Sequence, residues 1–174
     1  MGFWGFGAEA SATNGSLSRV LFLDLETGRP GAEYVYENDP VVNATDGLSL
    51  NGLVELLALE DGTFLALERS FSTGFGHSVN LHLYDVSGAT DVSGLDSLVG
   101  ATFTAGEKTL VADLGGFGPE IHNLEGLTFG PTLGTGNRSL VIVSDDNFDG
   151  VTQFLVFEVL PGSLRRGSPS LDPS

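Results

Sequence analysis

The sequence predicts an all-β protein of short antiparallel strands, and three observations predict it. No long segment carries a 3.6-residue apolar period. Short runs of Val, Leu, Phe and Tyr alternate with turns of Gly, Asp, Asn and Pro. Some of these runs also recur. Residues 54–71, VELLALEDGTFLALERSF, lie over residues 124–148, LEGLTFGPTLGTGNRSLVIVSDDNF. The strand LHLYDV at 81–86 matches FLVFEV at 154–159 and VLFLDL at 20–25. A four-strand unit repeated radially is the blade of a β-propeller, so the architecture expected is a partial β-propeller of about two to three four-stranded antiparallel blades. A propeller needs about four blades to close. The 174 residues are therefore read as part of a larger ring, or as a chain that assembles with another. Stacking as a sandwich is the alternative.

Taken in order, residues 1–17 are rich in small residues and read as a flexible N-terminal segment. Residues 19–25 and 32–36 form a hairpin around Gly28, Pro30 and Gly31. Residues 37–50 are turn-rich. Residues 53–59 and 63–67 are strands joined by Glu60-Asp61-Gly62, a hairpin turn. Residues 79–86 alternate as another strand, and 89–104 are a connection in which 93–98 could form one helical turn. Strands follow near 107–114, 124–129, 139–143 and 152–160. The folded part is set at 18–162, and 163–174 is read as a disordered tail.

Composition narrows the partners. The net charge is −16, with seven basic residues. Phosphate backbones and anionic membranes need clustered Lys and Arg, so nucleic acid and membrane surfaces are not expected partners. There is no cysteine, hence no disulfide, thiolate metal site or thiol nucleophile. No apolar run is long enough to span a bilayer. No Lys or Arg precedes Arg19, so no signal-peptide pattern is visible.

The chemistry concentrates between residues 124 and 149. Asp145, Asn147 and Asp149 alternate and Gly150 follows, the opening of a calcium loop in which oxygen side chains converge on a hard cation. The twelfth position is Val156 where a bidentate Glu would stand, so the loop is incomplete, and an acidic β-turn explains the same residues. In the overlay of the repeats Glu55 falls on Glu125, Glu68 on Asp145 and Phe71 on Phe148. Placed at equivalent strand ends, Glu55, Glu68, Glu125 and Asp145 would converge on one axis. There they would repel unless protonated or bridged by Ca2+, with Asn123, Asn147 and Asp149 as further oxygen ligands. Strand-end capping is the other reading of these carboxylates. Arg69 is the basic residue beside them, either an ester or phosphate clamp or the ion-pair partner of Glu68 or Glu125. His122 is the acid/base candidate, with His77 in a glycine-rich loop and His82 alternating outward on a strand, at the surface. No G-x-S-x-G elbow occurs, and Ser78 and Ser144 lack a base, so hydrolysis would use metal-activated water.

The blocks NGLVELLALEDGTFLALERSF, GATDVSGLDSL, NLEGLTFGP and SLVIVSDDNF followed by TQFLVFEV resemble the C-terminal half of the phytase-like domain family, "esterase-like activity of phytase", over about residues 18–160. The resemblance implies a β-propeller, export from bacterial cells to the periplasm or beyond, hydrolysis of phosphate or carboxylic esters, and calcium dependence. It implies a small-molecule ester or phosphoester substrate. It also implies a partner in the missing half of the propeller or in another copy. Where the family has Asp-Asn before EGL this chain has His122-Asn123, so the role of that Asp is in doubt. Two functions are open: a calcium-dependent hydrolase, or a non-catalytic propeller used for binding or scaffolding. So few basic residues argue against strong binding of phytate.

Overall fold

The computed structural model describes residues 9–60, 62–118, 120–147 and 150–165. Nine strands form three antiparallel sheets. The first sheet pairs β1 (Leu17–Leu23) with β2 (Pro30–Glu37). The middle sheet is a meander of β3 (Ser49–Ala58), β4 (Thr63–Ser72), β5 (Gly76–Asp85) and β6 (Glu107–Asp113). The third holds β7 (Leu124–Thr132), β8 (Arg138–Ser144) and β9 (Phe154–Val159). A four-residue 3-10 helix, Leu114–Phe117, is the one helical turn among the described residues. Residues 93–98 make turns and bends, not the helical turn that the sequence allowed. The all-β expectation thus holds. Among the described residues the four-stranded unit appears complete once, in the middle sheet.

Alternation along the strands decides what packs where. One face of the middle sheet carries Leu65, Leu67, Leu81 and Leu83, which bury against Leu124, Leu140 and Ile142 of the third sheet. The opposite face carries Ala66 and Tyr84, which bury against Val20 and Tyr36 of the first sheet. The connection after β5 folds back over the far side of the first sheet, where Val92 and Leu98 cluster with Val35. Arg19 fastens it, donating to the carbonyls of Val92 and Leu95 at 3.4 and 2.7 Å and pairing with Glu33 at 2.6 Å.

The repeat is real, but its register differs from the sequence overlay. β7 pairs Leu124 with Ser144 and Gly126 with Val143, so Glu125 is the extra residue of a bulge. β3 pairs Leu53 with Glu68 and Glu55 with Leu67, so there the extra residue is Val54. Glu125 therefore corresponds to Val54, not Glu55. Glu68 corresponds to Ser144, and Arg69 to Asp145. A one-residue slip turns each side chain to the other face, which is why the overlaid acids do not converge.

The seam between the first and middle sheets is polar at one end. Glu68 is 2% exposed. Its carboxylate accepts from Tyr36 Oη at 2.8 Å, Asp39 N at 2.8 Å, Asn51 Nδ2 at 2.7 Å and Lys108 Nζ at 3.1 Å. Lys108 also pairs with Asp39 at 2.6 Å and lies 5.2 Å from the Tyr36 ring centre. His82 completes the group, with Nε2 3.6 Å from Asp39 Oδ2. It is buried, so the sequence reading of His82 as a surface residue is corrected.

Burial, with the Lys108 charge adding to it, pushes the His82 imidazole below its ordinary value of 6.5, while Glu68 and Asp39 pull the other way. His77 is shifted in the same direction. In the unfolded chain both take up a proton near pH 6.5, and in the folded chain only at lower pH. The unfolded state then binds more protons in that window, so stability falls as pH drops through about 6.5. The expected result is a decline of Tm across that range, flattened in His82→Asn. A Tm that stays level from neutral pH to below the histidine range would refute it.

Candidate functional site

The site forms at one end of the seam between the middle and third sheets. On β4, Arg69 and Phe71 share the face opposite Glu68, because neighbours on a strand point to opposite sides. On β5, His77 stands opposite Phe71 and diagonal to Arg69, whose direct partner is Val79. Gly76, at φ +83°, lets the chain turn into β5 just before His77.

From the third sheet, the β7 bulge aims Glu125 at Arg69, with Nη1 to Oε1 at 2.7 Å. Asn123 is buried, and its amide donates to Glu125 Oε1 at 2.9 Å and to Asn147 Oδ1 at 2.8 Å. Asn147 sits at φ +49°, a conformation that Asn tolerates well. The backbone N–H of Asp145 bonds to Asn123 O at 2.9 Å, which holds the segment after β8 beside the start of β7. Gln153, which the sequence did not single out, links these pieces. It accepts from His122 N at 3.2 Å and donates to Glu120 O at 2.8 Å.

A cleft of about 300 Å³ is lined by His77, Glu120, His122, Asn123, Asp145 and Asn147, and Asn123 in its wall bonds to Glu125, the partner of Arg69. Two nitrogens here are buried with no hydrogen-bond partner among the described residues: Arg69 Nε and His77 Nδ1. Buried polar atoms are usually satisfied, so two orphans on one face of the middle sheet, from β4 and β5, mark a place for a polar ligand or water. Burial lowers the affinity of His77 for a proton, and the charges of Arg69 and His122 lower it further against the opposing pull of Glu125. The ring is thus neutral at pH 7 and competent as a base.

The residues singled out from the sequence divide into two groups. Arg69, Glu125, His122, Asn123, Asp145 and Asn147 come together. Glu68 does not, since it faces the first sheet and is held by Lys108. Glu55 accepts from the backbone N–H of Leu56 at 2.9 Å, next to it on its own strand. Asp149 and Phe148 lie outside the described residues, as do residues 1–8 of the N-terminal segment and 166–174 of the tail. His77, weighed second from the sequence, is the histidine on the strand beside Arg69 and on the same sheet face. Its one signal was the glycine-rich run FSTGFGHS. A larger cleft of about 630 Å³ opens at the other end of the same seam, but among the described residues it holds no histidine and its only acid is Glu60.

Among the described residues no three Asp, Glu or His side chains stand together as a metal-binding group. The bridged ring of Glu55, Glu68, Glu125 and Asp145 is therefore not assembled. What the cleft does offer is hard oxygen, from Asp145, Glu120 and the side-chain carbonyl of Asn147, and this is the donor chemistry that calcium takes.

Fold and site together define an all-β protein with a polar, histidine-containing cleft between packed sheets. The chain matches the model of the Phytase-like family, described as esterase-like activity of phytase, over residues 4–148, and it belongs to that family. A search of curated proteins found no match. A search of solved structures found none either. No helix among the described residues is long and apolar enough to cross a membrane.

Proposed function

We propose that this chain is part of a β-propeller hydrolase that cleaves small phosphate or carboxylic esters in the cleft lined by His77 and His122, beside the Arg69–Glu125 ion pair. The observation that carries the reading is the pair of orphaned nitrogens, Arg69 Nε and His77 Nδ1, on neighbouring strands of one sheet face. Family membership supports the reaction class. Arg69 binds the oxygen of the carbonyl or phosphoryl group and stabilises its growing negative charge. Glu125 holds the guanidinium in place, and Asn123 holds Glu125. Neutral His77 takes a proton from water as the water oxygen bonds to carbon or phosphorus. The ester C–O or P–O bond breaks, and His122 on the cleft wall returns a proton to the leaving oxygen.

Calcium is part of the proposal on a smaller donor set than the sequence implied: Asp145 and Asn147, with Glu120 nearby. When bound it would supply positive charge to a substrate oxygen beside the cleft. Export from the cell, and completion of the propeller by further blades or another copy, belong to the same reading.

The test is hydrolysis of nitrophenyl acetate and nitrophenyl phosphate by the purified chain, against Glu125→Gln, with and without a calcium chelator. Glu125→Gln is expected to lower kcat/KM by about tenfold or more, since it loosens the group that binds the developing charge. Equal rates for both proteins on both substrates would reject the site. A rate indifferent to the chelator would remove calcium while leaving the site. The acidic limb of kcat/KM is expected below pH 6.5, the ordinary histidine value from which His77 is lowered. A limb above that value would exclude His77 as the base.

A further inference from the structure

The strand motif that recurs three times is covered twice and bare once. Val20 and Phe22 on β1, Leu81 and Leu83 on β5, and Phe154 and Val156 on β9 hold the same places in VLFLDL, LHLYDV and FLVFEV. Val20 and Phe22 pack into the cluster between the first and middle sheets. Leu81 and Leu83 pack into the cluster between the middle and third sheets. Phe154 and Val156 are 66% and 60% exposed.

The register shows that this is one face and not two stray side chains. Phe154 stands opposite Val143 and Val156 opposite Val141. In the middle sheet the same positions pair Leu81 with Leu67 and Leu83 with Leu65, four leucines that the third sheet buries. The third sheet also ends at β9, whereas the middle sheet continues from β5 to β6, so the outer edge of β9 is unpaired in the described fold. At the other end of the series the first sheet turns Leu21 and Leu23 outward, each 52% exposed, on the side away from Val20 and Phe22, at the end of that face which the connection packed on Leu17 and Val35 leaves open.

Both interfaces inside the chain have the same polarity. The face that carries the recurring pair packs on the reverse face of the next sheet, where Tyr84 in one case and Phe157 in the other receive it. We infer that the Val141–Val143–Phe154–Val156 face is an interface for a second copy of this chain, which presents the Leu21 and Leu23 side of its first sheet, head to tail. Continuity with two interfaces already formed by the same repeat selects this occupant. The inference rests on the repeat architecture of the reading above and not on its ester chemistry. At −16 per copy the chains repel, so the contact forms through apolar burial and strengthens with salt.

Light scattering after size exclusion tests it on the full chain, at low and high salt. The expected result is association that grows with salt and concentration. A Phe154→Lys/Val156→Lys variant and a Leu21→Lys/Leu23→Lys variant should each fail to associate alone. A mixture of the two should form a complex, because each keeps the surface that the other lacks. Circular dichroism checks that both variants stay folded, which the exposure of all four positions favours. A wild-type monomer at high salt overturns the inference, as does association that survives the β9 variant. Loss of association that mixing does not restore overturns the head-to-tail polarity. The ester assay is independent of all three outcomes, so failure here and failure of the hydrolytic reading are told apart.

Discussion

Replacing Glu68 by alanine is expected to cost this protein more stability than any other single change of a charged residue. The carboxylate is buried and accepts four hydrogen bonds, from the Tyr36 hydroxyl, the Asp39 backbone, the Asn51 amide and the Lys108 ammonium. Removing one member of a buried ion pair leaves its partners without compensation, at about 3–5 kcal/mol. At 2–4 °C per kcal/mol for a chain of this size, Tm falls by roughly 10 °C. Burial and the neighbouring Glu68 charge hold the Tyr36 phenol protonated far above its usual range, so it is a donor that loses its acceptor. Glu68→Gln keeps the volume and separates charge from packing. It should fall between the parent and Glu68→Ala, since the amide can still accept but cannot pair with Lys108. Thermal unfolding of the three proteins decides the matter, and a Glu68→Ala variant within a degree or so of the parent would show that the network does not hold the first sheet on the middle one.

Arg69→Ala is expected to remove most of the hydrolytic activity while leaving the fold nearly intact. Loss of one donor to a developing oxyanion costs about 10²–10³ in kcat. The stability cost should be small, because Glu125 is 42% exposed and water can replace the guanidinium there. Arg69→Lys should not rescue the rate, since a lysine ammonium cannot reproduce the planar fork that reaches Glu125 and the substrate together. The readout is kcat/KM for nitrophenyl esters beside Tm for the same preparations. Activity within about twofold of the parent would strip Arg69 of the role assigned by analogy with oxyanion donors.

The two residues are neighbours on β4, and their separation into different sites is the main lesson about what could be read in advance. The acids near strand ends were legible, as were the basic residue among them and the block from 124 to 147. Local alternation and turn chemistry were enough to place β6 and β8 close to their observed bounds, whereas β3 begins at Ser49, before the expected 53, and β4 runs on past the expected 67 to Ser72, through Glu68 and Arg69. The overlay failed by one residue because its β3/β7 register was set by matching Glu55 to Glu125, and no sequence signal marks Val54 and Glu125 as bulge residues. With a period of two, that slip exchanged the faces on which Glu68 and Asp145 were expected. The network around Glu68 was invisible for another reason. Tyr36, Asn51 and Lys108 lie far from it in sequence, so only the packing of two sheets brings them together.

By itself the sequence determined the strand periodicity, the repeated motif, the family and the acid-rich charge, because each is a property of neighbouring residues or of composition. Only the tertiary structure decided which carboxylate faces which cation. It turned Glu125 to Arg69 and Glu68 to Lys108, and it brought His77 beside the cleft. The physical reason is that the face on which a side chain emerges is fixed by strand register, and register is fixed by bulges and sheet packing between segments distant in the chain.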